Sequence, residues 1–288
     1  MEIEKKMESN ELTTSLNKDN KTFPLEYSKE SQPRSELGSC TYTLLTDSLP
    51  YVIYLIGFFI VTTLNLIYFS KSVPAEVAPD AIAGVGIAGT WLAITTFIVI
   101  MSLNGGFSTL AAQAFGSKNY ELVGLYLHRS LVIRTLGLIP SIILLIYCEE
   151  CLLAFGVSER SVAYAGVYAR ACIPGAILYM LGDTLKAFII AHNVFKPLLY
   201  IQIVIMGSHF LFCELLIKKL QLGMAGVGWA FFLSQGAGAA AYAIYIFKFQ
   251  STKDTLFWFK KESFQNLLLQ LKQEAWIAMF MYLEWVGY

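Results

Sequence analysis

Four charged side chains stand in stretches of sequence that are otherwise apolar: Arg170, Asp183, Lys186 and Glu284. A charge at the centre of a membrane helix costs about 2.5–3.5 kcal/mol on insertion scales, so each needs a partner or a role. Asp183 and Lys186 are three residues apart on one helical face and can pair. A structural ion pair is the favoured reading there, ahead of a place in a substrate cavity. Arg170 requires a partner acid or a water-filled cavity, and the sequence names neither. Glu284 sits between Tyr282 and Trp285 in an apolar stretch. Burial disfavours its ionised form, which suits a carboxylate that exchanges a proton for a cationic substrate. The competing reading is a helix-end glutamate that reaches water. An amide, Asn65, lies deep in the first apolar stretch, where it can bond a substrate or a neighbouring helix; both readings stand.

Other chemistry has little support. No Walker motif, Ser/His/Asp set or metal-ligand cluster appears. ATP-driven transport and hydrolysis therefore lose weight, the chain reads as no enzyme, and no cofactor or metal is expected. His128, His192 and His209 are widely spaced and read as structural. Of five cysteines, only Cys148-Glu-Glu-Cys151 has suggestive spacing. It lacks a second pair or a nearby His, so it reads as a membrane-edge pair without a role. Lys plus Arg equals Asp plus Glu at 21 each, which offers no hint of a nucleic-acid partner.

The elements that carry these residues follow from composition. The 288 residues are 56% hydrophobic and only 15% charged, where a soluble protein carries about a quarter. The chain reads as an all-α polytopic membrane protein: one six-helix transmembrane lobe plus the start of a seventh helix. Residues 1–44 are polar and read as a disordered cytoplasmic tail. The six-helix lobe is expected over 45–250, a polar cytoplasmic linker over 251–272, and the start of a second lobe, cut short, over 273–288. Thr46 to Pro50 looks like a helix start with Asp47 as its cap. Ala81 to Ser117 carries no formal charge, long enough for one membrane helix, loosened near Asn104-Gly105-Gly106. A tight turn follows, in which Gly116 is expected at positive φ. Arg129 and Arg134, at one end of the third span, are expected to snorkel to lipid headgroups.

Orientation comes from the basic residues of short loops. With the N-terminus inside, the cytoplasmic connections hold eight, namely Lys118, Arg129, Lys196, Lys248, Lys253, Lys260, Lys261 and Lys272. The outer ones hold four, Lys71, Arg160, Lys218 and Lys219.

The run Gly105–Ser130, GGFSTLAAQAFGSKNYELVGLYLHRS, resembles the multidrug and toxic compound extrusion (MATE) transporters. That family carries a stretch like AL-x-TL-x-x-QAFGA…G-x-Y-x-QRS between its second and third helices. Gln113, Gly116 and Arg129 match it, while Ser117 and His128 depart from it. Tyr168 to Gly175, with Pro174, is similar to the family's Y-x-x-x-x-IPG, and Tyr282-Leu-Glu-Trp285 to its CLEWW. The resemblance implies a eukaryotic-type, N-terminal half of a secondary antiporter that exports organic compounds in exchange for protons or sodium by alternating access. It implies the coupling role for Glu284. Bacterial members carry a coupling aspartate where Asn65 stands, and an amide cannot titrate. Asn65, Asp183 and Arg170 are the candidates for a substrate cavity. The expected partners are a small organic molecule, cationic or amphiphilic, a proton or sodium ion, and the bilayer of the plasma, vacuolar or vesicular membrane. Two alternatives are a seven-helix receptor, suggested by the count of apolar segments, and a lipid-linked sugar flippase, which needs a more cationic cavity than Arg170 supplies.

Overall fold

The computed structural model describes residues 34–248 and 255–287. The tail as far as residue 33 and the linker over 251–254 lie outside the described residues. All packing below lies within the compact unit that begins at Leu44. Among the described residues there is no strand. Lipid offers the backbone no hydrogen bonds, so an apolar chain must satisfy its own, and helices do this locally.

The helices are α1 (Arg34–Ser72), α2 (Ala78–Leu92), α3 (Ile98–Gly116), α4 (Tyr120–Ile146), the short α5 (Cys148–Ala154), α6 (Glu159–Ala191), α7 (Lys196–Cys213), α8 (Gly223–Lys248) and α9 (Leu267–Gly287). Among the described residues, six segments are long and apolar enough to cross a membrane: Val52–Ser72, Ala78–Gly116, Tyr120–Ile146, Glu159–Ala191, Lys196–Lys219 and Gly223–Lys248. The boundaries have local causes. The Asn119 side chain accepts from the Leu122 amide at 3.2 Å and opens α4. Ser158 does the same for α6, and Pro79 and Pro197 stand in the first turns of α2 and α7, where a missing N–H costs nothing.

Three local expectations are corrected. Helix α1 begins at Arg34, so Asp47 lies inside it and not at its start. The long second span is loosened at Ala93–Phe97, a π-helical turn joining α2 to α3, rather than at Asn104-Gly105-Gly106. There the Ser141 hydroxyl of α4 donates to the Thr95 carbonyl at 2.7 Å, a side-chain bond of the kind that lets a widened turn persist. Gly116 ends α3 in ordinary helical geometry, and the left-handed residue is Lys118, with φ 61°. The amide of Asn119 reaches the Ala114 carbonyl at 2.9 Å and that of Lys118 the Phe115 carbonyl at 2.9 Å. This is a Schellman stop with lysine in the usual glycine position.

Helix α6 is the centre of the lobe: 61% of its apolar window is buried, against 28% for Val52–Ser72. It packs on α2, α3, α4 and above all α8. Apolar residues gather in two clusters. One holds Phe97, Leu145, Tyr179 and Phe231, the other Phe107, Leu127, Phe188 and Ile246. Lipid is as apolar as leucine, so close packing and interhelical hydrogen bonds must supply the association. The buried polar side chains are therefore the informative ones.

The segment read from composition as a polar linker is seated on the lobe from Thr255 onward. His128 of α4 stacks on Phe259 (centroids 4.1 Å apart, 18° between planes) and meets Phe257 edge-on. Its Nδ1 lies 3.0 Å from the Ser263 hydroxyl. Arg129 donates to the Glu262 carbonyl at 3.1 Å, so it serves this strap instead of snorkelling. Lys260 pairs with Glu121 at 3.1 Å. Gly124 makes the seat possible, because a Cβ there would overlap the Thr255 carbonyl and the Phe257 ring.

Candidate functional site

Asp183 and Lys186 form the expected pair, and both side chains are buried. The Asn104 amide of α3 donates to the Asp183 carboxylate and, at 2.7 Å, to its backbone carbonyl. The Lys186 ammonium also donates to the Tyr54 hydroxyl of α1 at 3.0 Å and lies 4.2 Å from that ring's centroid. The ion pair thus ties α1, α3 and α6 together, the carboxylate through Asn104 and the ammonium through Tyr54. Its partners line a cavity of about 210 Å³ between α3, α6 and α9, whose walls include Asn104, Ser108, Lys186, Phe195, Met281 and Trp285. Asp183 also borders a narrower space inside the lobe, with Gln202, Gln235 and Tyr242.

Behind this pair lies a second set of charges. Arg134 is only 1% exposed. It donates to the Thr184 hydroxyl at 2.6 Å and the Leu103 carbonyl at 3.3 Å, and its guanidinium lies 5.3 Å from the Phe107 ring centroid. The expected snorkelling is overturned: α3 and α6 flank this part of α4, so Arg134 faces protein. Glu274, at the start of α9, is 0% exposed. The Ser130 hydroxyl donates to its Oε1 at 3.0 Å and the Gln270 amide to the same atom at 2.7 Å. Gly106 lets α9 approach this closely, since an added Cβ would come within 2.7 Å of the Glu274 Cβ.

The sequence-derived candidates do not converge on one place. Asn65 bonds a neighbouring helix: its Oδ1 lies 3.0 Å from Nε2 of His209 on α7, whose Nδ1 lies 3.0 Å from the Ser234 hydroxyl of α8. Arg170 pairs with Glu149 of the Cys148–Cys151 turn at 3.3 Å, with both side chains over a third exposed. The same turn holds the Cys148 thiol, pushed up to about 11 chiefly by burial, with Cys151 adding to it. A thiol so rarely ionised is a poor nucleophile. Glu284 is exposed and stands one residue before the cavity-lining Trp285. Gln113 is exposed near the end of α3, and Pro174 lies inside α6.

Glu274 is what sequence reasoning missed. It falls at the polar edge of an apolar run, where an acid ordinarily faces water. The available signal is its spacing, with Gln270 and Ala278 four residues to either side, which puts three buried residues on one face of α9.

The family pattern MatE matches residues 51–215. The chain belongs to the MatE family. Within it, the chain is 29% identical over 205 residues to Protein DETOXIFICATION 16 of Arabidopsis thaliana, covering 70% of this chain and 42% of that protein. It is 24% identical over 208 residues to DETOXIFICATION 9 of the same plant, covering 72% and 43%. The chain therefore spans less than half the length of these relatives. The fold superimposes on the crystal structure of the eukaryotic MATE transporter AtDTX14 with a TM-score of 0.76 at 21% identity, covering 83% of this chain and 53% of that one. An outward-facing multidrug resistance MATE transporter gives 0.69 at 17%, covering 81% and 51%.

Proposed function

We propose that the chain forms the first lobe of a secondary antiporter that exports organic compounds, cationic or amphiphilic, in exchange for protons or sodium by alternating access. The observation that carries this reading is the cavity between α3, α6 and α9, where Phe195, Met281 and Trp285 face Asn104, Ser108 and the Asp183–Lys186 pair. Apolar walls with a few fixed polar groups suit an amphiphile. The volume of about 210 Å³ is below the roughly 300–1,000 Å³ of drug-sized sites, so this lobe holds one ring system of a larger ligand. Lys186 is neutralised by Asp183, which leaves little of the positive charge a lipid-linked sugar flippase needs. Glu284, beside Trp285, is the coupling carboxylate in this reading, reached by the exchanged ion from the open side of α9. The N-terminus is inside, with the Ser117 turn and the strap on the cytoplasmic face.

The test is export by a full-length version of the chain in reconstituted vesicles under an imposed proton or sodium gradient, read with ethidium and with a neutral amphiphilic dye. Glu284→Gln keeps the size of the side chain but cannot titrate, so gradient-driven export is expected to stop while membrane yield is unchanged. Undiminished, equally pH-dependent export by that variant removes Glu284 from the coupling. Failure of the unmodified protein to move either dye under either gradient overturns the antiport reading.

A further inference from the structure

Glu274 is fully enclosed, yet the protein treats its two oxygens unequally. Both side-chain donors that reach it, Ser130 and Gln270, go to Oε1, whereas Oε2 has no hydrogen-bond partner. A permanently ionised carboxylate is an acceptor at both oxygens, and burying one half-satisfied is costly. The nearest cation is no direct partner either. Arg134 spends its hydrogen bonds on Thr184 and the Leu103 carbonyl, its Nε also lacks a partner, and it feels Glu274 and Asp183 only through space.

The charged surroundings are few enough to name element by element. Helix α3 contributes none between Ile98 and Gly116. Helix α4 contributes Arg134, with His128 and Arg129 further along and turned to the strap. Helix α6 contributes Asp183 and Lys186. Helix α9 itself adds only Lys272 nearby, which is exposed. With Arg129 buried against the strap and bonded there, the set left around Glu274 is two cations, Arg134 and Lys186, and two carboxylates, Asp183 and Glu274. It is neutral with both acids ionised and carries one positive charge when a proton is added. Asp183 and its partners Lys186 and Asn104 are committed to one another, so the half-satisfied carboxylate is where that proton goes.

We propose that Glu274 is a proton-exchanging carboxylate which sets the net charge of this buried tetrad, and with it the affinity of the adjoining cavity for organic cations. On uptake, a proton passes from water to Oε2, and the carboxylate becomes the neutral acid without losing its bonds at Oε1. The tetrad then carries a positive charge one step from the Asp183–Lys186 pair, and a cation in the cavity is repelled. On release the proton returns to water and the repulsion ends. Its consequence for export rests on the antiport reading above; the proton exchange itself does not.

The two are separated by measuring proton binding directly. Infrared difference spectra of the purified chain in lipid are recorded as pH is lowered, for the unmodified protein and Glu274→Gln. A protonated-carboxyl band is expected in the former and missing from the latter. Arg134→Met removes a cation that favours the ionised form, and Ser130→Ala removes a donor to it. Either variant is expected to keep the band down to a proton concentration at least tenfold lower. Two variants of different size guard against one that fails to fold. The proposal is overturned by a band that survives in Glu274→Gln, by the absence of any band that Glu274→Gln removes, or by a titration unmoved in both Arg134→Met and Ser130→Ala. A band that behaves as stated in a protein that exports no ethidium supports Glu274 and counts against the antiport reading alone.

Discussion

The Asn65 amide of α1 and the His209 imidazole of α7 meet at 3.0 Å in the interior of the lobe, with Asn65 3% and His209 0% exposed. Both ring nitrogens of His209 are engaged, the second by Ser234. Removing the amide leaves the buried Nε2 with only the weaker contact of the Cys213 thiol at 3.4 Å, which costs about 1 kcal/mol. Asn65→Ala is therefore expected to lower the melting temperature in detergent. Ser208→Ala, whose hydroxyl bonds only the backbone of its own helix at 2.9 Å, serves as the control and is expected to leave it nearly unchanged. Equal melting of the two variants contradicts this account.

Gly124 sets the position of the strap. Gly124→Val forces the Thr255 carbonyl and Phe257 outward and is expected to expose Lys260 and Lys261 to trypsin several-fold faster. Gly86→Val, placed where an added Cβ meets nothing within 4 Å, leaves the cleavage rate alone. The comparison is read by timed digestion and mass spectrometry.

The strap is also expected to respond to acid through His192. Nδ1 of this ring lies 2.7 Å from the Phe188 carbonyl and donates to it, which leaves Nε2 to accept from the Thr255 hydroxyl at 2.9 Å. Burial lowers its affinity for a proton below the ordinary value of 6.5, against a smaller opposite effect of the Phe188 carbonyl. A lowered folded-state value means that this contribution is whole above about pH 6.5 and is lost as pH falls below it. Hydrogen exchange over residues 255–266, corrected for intrinsic rates, should quicken between pH 7.5 and 5.5, and His192→Gln should flatten that dependence. An unchanged profile in His192→Gln assigns the response to another group.

At the α3–α4 turn the sensitive residue is Lys118 and not Gly116. Lys118→Gly relieves a left-handed residue, and Lys118→Val adds a β-branch where φ is 61°. A β-branched side chain is a steric outlier there, so the first is expected to hold or raise the melting temperature and the second to lower it. Gly116, helical and with open space around it, is expected to accept alanine with a gain of about 0.5–1 kcal/mol. Loss of folded yield in Gly116→Ala restores the demand for glycine.

The number of spans, their approximate limits, the family and the Asp183–Lys186 pair were legible in the amino-acid order, because each depends on local properties. Hydrocarbon demands a long apolar run, and a helix brings residues three apart to one face. Tertiary structure alone decided what long-range contact decides. A run of glycines looks like a weak point in a helix until α9 is seen packed on Gly106. An arginine near a helix end looks destined for headgroups until neighbouring helices enclose Arg134. An acid at the edge of an apolar run looks solvated until Ser130, distant in sequence, donates to it. Composition reports how much charge a membrane protein holds. Only the packing of helices says which charges have lost their water, since desolvation depends on every neighbour at once.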